Sequence, residues 1–398
     1  MKNRIGIWLF FGILLMTTPL QGATGEKEST SREQIKEASE DLDKETKKWM
    51  QEIRDEVQMD ELDEFVTEQI PLKTTFSDLA DMFWKEGLSN ETCEVIADWI
   101  YDLFFYEMGA SKPYFLQMLL FTTVFAIVRQ IFELRNMYVS DLSFLMIYAT
   151  MGSLLINNFI LVSDVAQQGI SLLLEFMAAL IPTFATTLLC AGNATSAGAY
   201  YELSFLLITV LTWMMDHIFI PGIHVYLLIC FLDQLFWEEK LSKMAEVIAS
   251  GIRLLRKSGI AVVLGISCVQ SLLTPAQDRM NGNVMVKTMS AIPGIGNVFT
   301  SAGDVLLSCG MLIKNSVGAA ALILMILVCI TPVIKVFLFT VLYRVLTAIL
   351  QPVADQRIVR CMNETAKACQ MYLKLLTDSM LLFFLTVAML TASTSFIN

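Results

Sequence analysis

Apolar residues follow two patterns along this chain, and the change between them falls near residue 110. Between Glu26 and Met108 the sequence is charged, and Ile35, Leu42, Trp49, Ile53 and Val57 recur at intervals of seven and four. Such spacing puts them on one face of a long helix. Val95, Ile96, Trp99, Ile100, Leu103 and Phe104 form a second apolar face, so a helical hairpin is expected there. Beyond Lys112 the apolar positions fuse into runs at 113–132, 142–162, 170–191, 203–236, 258–275, 291–313, 316–350 and 374–395. A hydrocarbon core of about 30 Å is crossed by about 20 helical residues. The two runs of greatest length contain Pro221 and Pro332, and proline removes an internal helical hydrogen bond. Read as pairs of short spans meeting at those prolines, they bring the expected total to about eight to ten.

Composition agrees with an all-α polytopic membrane protein. Hydrophobic residues make up 55% of the chain and charged residues 17%, with a mean hydropathy of +0.58. The net charge of -11 is unevenly placed, because residues 26–110 carry 24 Asp/Glu against 9 Lys/Arg. The acidity therefore belongs to one segment. Ahead of it, MKNRIGIWLFFGILLMTTPLQGA has a basic start, an apolar stretch, Pro19 and the small residue Ala23, which is the plan of a secretory signal peptide. An uncleaved first membrane helix is the alternative, and either exports the segment that follows. The expected organisation is a signal peptide at 1–23, an acidic helical extracytoplasmic domain at 24–110, two spans at 111–165, and two membrane repeats at 166–276 and 277–398.

The repeats rest on an offset of 111 residues. FIPGIHVYLLICFL from Phe219 and ITPVIKVFLFTVLY from Ile330 share their proline, isoleucine, valine and leucine positions. The same offset carries Pro182 onto Pro293, Pro221 onto Pro332, and His224 onto Lys335. Each half continues into a charged, helix-permissive connector, residues 237–259 and 352–374. Pro182, Pro221, Pro293 and Pro332 are thus expected helix breaks, and broken helices in paired repeats build binding sites in transporters. Lys335 has two readings: a working intramembrane charge, or a side chain near a break that snorkels to the headgroups. His224, Asp304 and Lys314 join it as candidate polar groups within apolar surroundings, together with Glu175, Asp216, His217, Asp233 and Arg344. With the acidic domain outside, counting basic residues places both connectors in the cytoplasm. They could meet a cytoplasmic partner or anionic lipid there.

Chemistry of other kinds finds little purchase. The eight cysteines have no CxxC spacing, there are two histidines, and the HExxH and GxSxG patterns are absent. No metal site, cofactor, catalytic group or nucleic-acid partner is expected.

The whole pattern resembles the stage III sporulation protein AE family of endospore-forming bacteria, most specifically in ALIP (179–182), AIPGIGNVFTSAGDVLLS (291–308), LIKNSVG (312–318) and PVIKVFLFTVLYRVLTAILQPV (332–353). The resemblance implies a mother-cell membrane protein in the outer of the two membranes around the engulfed forespore. It further implies partners from the same operon, including an ATPase and ring-forming proteins, and a partner in the forespore membrane. Together these look like a channel or feeding tube that sustains late forespore gene expression. A secondary transporter for a small solute, built on the two repeats, is the alternative from a different class.

Overall fold

The computed structural model describes residues 62–63, 90–133, 137–235, 241–290, 296–352 and 355–395. The expected signal peptide, most of the acidic domain, the first hairpin face and Pro293 lie outside the described residues. What is described is helical throughout, in the order α1 (Asn90–Glu133), α2 (Met137–Cys190), α3 (Ala194–Met214), a π-helical turn (Met215–Phe219), α4 (Ile220–Leu235), α5 (Ser242–Ser290), α6 (Gly296–Leu350) and α7 (Gln356–Ser395). These elements fall within the unit Glu52–Asn398. Among the described residues, five stretches are long and apolar enough to cross a membrane: Tyr148–Cys190, Ala194–Gln234, Ser242–Asp278, Gly310–Leu350 and Gln356–Ala392.

That count is below the expected eight to ten, because runs read as separate lie on single helices. Runs 142–162 and 170–191 are both on α2, and both sides of Pro332 are on α6. Pro182 and Pro332 therefore do not break their helices. Proline forfeits one backbone bond and crowds the carbonyl four residues earlier, which dense neighbours and local hydroxyls can absorb. At Pro182 the neighbourhood is threonine-rich: Thr186 Oγ1 donates to the Pro182 carbonyl at 2.5 Å, and Thr187 Oγ1 to Phe184 at 2.7 Å. Pro221 is handled differently. It sits in the first turn of α4 directly after the π-helical turn, where the Ile220 amide reaches back five residues to Met215. The widened turn alters the helix register without ending it.

Helix ends are fixed by specific groups. Gly192 adopts φ 77° and closes α2 with the Asn193 amide on Leu188 O and its own amide on Leu189 O, both at 2.9 Å. Asn193 gives α3 no side-chain cap. The cap comes instead from α5, whose buried Asp278 accepts from the Thr195 and Ser196 amides at 2.6 and 2.9 Å and from Ser196 Oγ at 2.6 Å. Gly310 marks a close crossing, because a Cβ there would lie 2.3 Å from the Cys190 carbonyl oxygen.

Helices α2, α6 and α7 make the centre of the bundle, with α1 against α2 and α6, and α4 and α5 against each other and α7. Phe159, Val336, Tyr343, Met362, Tyr372 and Leu376 are buried together. Polar cross-links tie the layers: Ser163 Oγ donates to Tyr372 Oη at 2.9 Å, and Tyr148 Oη to the Phe231 carbonyl at 2.6 Å. Outward faces are apolar in helical rows, for example Phe205, Leu206 and Val210 on α3 and Val262, Ile266, Val269 and Leu273 on α5. Rows of that extent suit hydrocarbon rather than water.

Candidate functional site: two polar cavities

Lys335 lies in the continuous α6, so the surface break that its snorkelling reading required is absent. Its ammonium pairs instead with Glu107 of α1 at 3.3 Å. The carboxylate side chain is 7% exposed and the lysine 38%, so the pair joins a sheltered acid to a base at the edge of a recess. That recess is a cavity of about 770 Å³ between α1, α2 and α6. From α2 it is lined by Asp164, Gln167, Gln168, Ser171 and Glu175, whose spacing is that of one helical face. With three carboxylates and one lysine the cavity is acidic. Pro332 lines it as well, and because proline has no N–H the Val328 carbonyl, also at the wall, lacks its usual helical donor. Opposite, Gly169 lets α2 and α6 approach: a Cβ there would lie 2.6 Å from Pro332 Cβ and 2.9 Å from a Leu376 methyl.

The other sequence candidates are not gathered with Lys335. His224 stands in an aromatic cluster, edge-on to Phe159 at 5.5 Å and near Tyr372 at 6.4 Å. Its 111-residue mate therefore has different surroundings. Lys314 is fully buried and donates to the Thr391 carbonyl at 3.5 Å, which ties α6 to the end of α7. Asp304 is on α6, with its side chain outside the described ones.

A second cavity, of about 930 Å³, is enclosed by α4, α5, α6 and α7. Both charged connectors of the sequence contribute to it: Arg253 and Arg256 from α5, and Arg360, Lys367 and Lys374 from α7, with Arg344 of α6 between them. The two connectors therefore lie at one end of the bundle. Its carboxylates already have partners. Glu364 accepts from Tyr226 Oη at 2.5 Å and Lys367 Nζ at 2.6 Å, Asp233 accepts the Leu241 amide at 2.7 Å, and Glu246 pairs with Lys243 at 3.1 Å. Arg256 forms an ion pair with Asp378, and Arg344 donates to Gln370 at 2.7 Å.

Sequence reasoning missed Glu107, because the segment ending at 110 reads as part of the acidic domain while α1 runs through that position to Glu133. Asp164 was missed too. Its signal was legible as polar positions Asn157, Asp164, Gln168, Ser171 and Glu175 recurring at helical spacing across two apolar runs.

With this geometry in hand, comparison with known proteins is direct. The model of the stage III sporulation protein AE family matches residues 74–394. The stage III sporulation protein AE of Bacillus subtilis (strain 168) is 24% identical over 299 residues, covering 74% of this chain and 75% of that protein. No solved structure matches. The match embraces all five apolar stretches and both cavities, and the chain belongs to the stage III sporulation protein AE family.

Proposed function

We propose that the protein is a non-enzymatic integral membrane component of the channel complex that links mother cell and forespore and supports late forespore gene expression. The family supports a sporulation role, and the five apolar helices support a place in a membrane. The observation that carries the finer reading is the acidic recess around Lys335 and Glu107. Charged and amide side chains inside an apolar bundle are costly unless they serve a water-filled path or a mating surface. On this reading the protein sits in the mother-cell-derived outer forespore membrane. Its signal peptide exports the acidic segment towards ring-forming proteins and a forespore membrane partner, and the basic end of the bundle faces the cytoplasm, where an ATPase docks. The two repeats offset by 111 residues belong to this reading, with Pro182 and Pro332 inside unbroken helices rather than at breaks.

The test is complementation in an endospore former whose own copy is deleted. Lys335→Leu at wild-type membrane abundance is expected to lower heat-resistant spores at least tenfold and to silence a late forespore reporter. Normal spore counts with the deletion itself would overturn the role, and normal counts with Lys335→Leu would remove the recess from it. The same recess also suits a secondary transporter, and saturable solute uptake by vesicles holding this protein alone would favour that reading.

A further inference from the structure

We propose that the cavity between α4, α5, α6 and α7 is a binding site for a phosphate-bearing anion, either the headgroup of an anionic phospholipid or a free phosphate compound. The reason is an excess of cations in the lining: Arg256 and Lys367 have carboxylate partners, and two further bases do not. Cations enter from three helices, while each lining carboxylate is already engaged by Tyr226, Lys367, Lys243 or a backbone amide. Arg253 and Lys374 have no ion pair among the described residues. Arg253, Arg256 and Arg344 line the same cavity as Lys374. Like charges gathered in a partly sheltered place raise the free energy of the empty site, and an anion that enters lowers it.

The shape selects the ligand class. Cationic side chains that line one cavity from three helices suit a tetrahedral group with three or four oxygens, and the planar fork of Arg253 can hold two of them. A carboxylate presents its oxygens in one plane and would leave part of the cluster unmatched. The depth of the cluster also bears on the ligand. Lys374 is 18 residues from the start of α7 at Gln356, or about 27 Å along the helix at 1.5 Å per residue, so the cations form a ladder running inward from the bundle end. Ala249, Ile252, Ala348 and Met371 line the same cavity and offer apolar contact beside the charged groups. Basic pockets between membrane helices commonly hold lipid headgroups in this way.

The test uses the full-length protein in phosphatidylcholine nanodiscs. One arm titrates phosphatidylglycerol and counts retained lipid by native mass spectrometry, and the other adds inorganic pyrophosphate and follows thermal unfolding against chloride at equal ionic strength. Neutralising two of the lining charges in Arg253→Gln/Lys374→Gln is expected to weaken the responding arm by about 30-fold. The charge-keeping Arg253→Lys/Lys374→Arg should stay within about threefold. Retention of phosphatidylglycerol alone identifies a lipid site, and stabilisation by pyrophosphate alone identifies a soluble phosphate site. If neither probe binds the wild-type protein, or if the neutralised variant binds as the wild type does, the proposal falls. Should the double variant not elute as folded protein, Arg253→Gln alone is expected to cost about fivefold and decides the matter.

Discussion

The two polar cavities of this protein handle charge in opposite ways. Around Lys335 there are three carboxylates to one base, and that base is committed to Glu107. Around Lys374 there are six bases to three carboxylates; Glu364 answers Lys367 and Asp378 answers Arg256, while Arg253 and Lys374 have no ion pair among the described residues. In the first cavity the lysine is answered by Glu107, so removing that partner should damage the fold. In the second, removing Arg253 or Lys374 should not, and what is lost should be a ligand. A charge's energetic meaning is set by what faces it, not by its burial alone.

The comparison is broken most forcefully at Gly169. Gly169→Leu drives a side chain into Pro332 and Leu376, which lie under 3 Å from an added Cβ, and is expected to destabilise the solubilised protein by about 3 kcal/mol. A fall in membrane abundance and in the midpoint of thermal unfolding would register it. Next comes Glu107→Leu, which strands the Lys335 ammonium. A fully buried pair would lose about 3–5 kcal/mol, and the 38% exposure of the lysine brings the expected loss to about 2 kcal/mol. Glu107→Leu/Lys335→Leu should recover most of that in the same unfolding measurement, and no recovery would mean that the pair is not the reason for the loss.

Smaller effects sharpen the contrast. Asp278→Ala removes the cap that α5 supplies to α3 and should cost about 1–2 kcal/mol, with faster amide exchange confined to the first turn of α3. Arg253→Gln, in the second cavity, should change stability by less than about 0.5 kcal/mol. A loss there as large as that of Glu107→Leu would show that Arg253 is structurally paired and erase the difference between the cavities.

Much of the fold was legible in the chain. The apolar runs from residue 113 onward gave helices of the right kind, because burying backbone in lipid leaves a single-segment hydrogen-bonded structure as the way to cross. The prolines misled. Pro182 and Pro332 have the sequence appearance of breaks, yet both lie inside unbroken helices, and at Pro332 the closely packed α2 at Gly169 holds the helix in place. Among the expected breaks within the described residues, the backbone responded at Pro221 alone, and with a π-helical turn. Likewise Lys335 was visible as an anomaly, but its partner was not, since Glu107 is 228 positions earlier in a segment whose acidity pointed to solvent.

The sequence by itself determined the class of the molecule: membrane helices, an acidic leading segment, two basic connectors and the family to which they belong. Those properties are sums over local windows, and hydropathy and charge add along a chain without regard to folding. The tertiary structure alone decided which charges meet. It set Lys335 against Glu107, separated it from His224, and brought the two connectors to one cavity in which cations outnumber their partners. Such encounters depend on how helices cross, and crossings are fixed by side-chain packing at points such as Gly169 and Gly310, which no periodicity records.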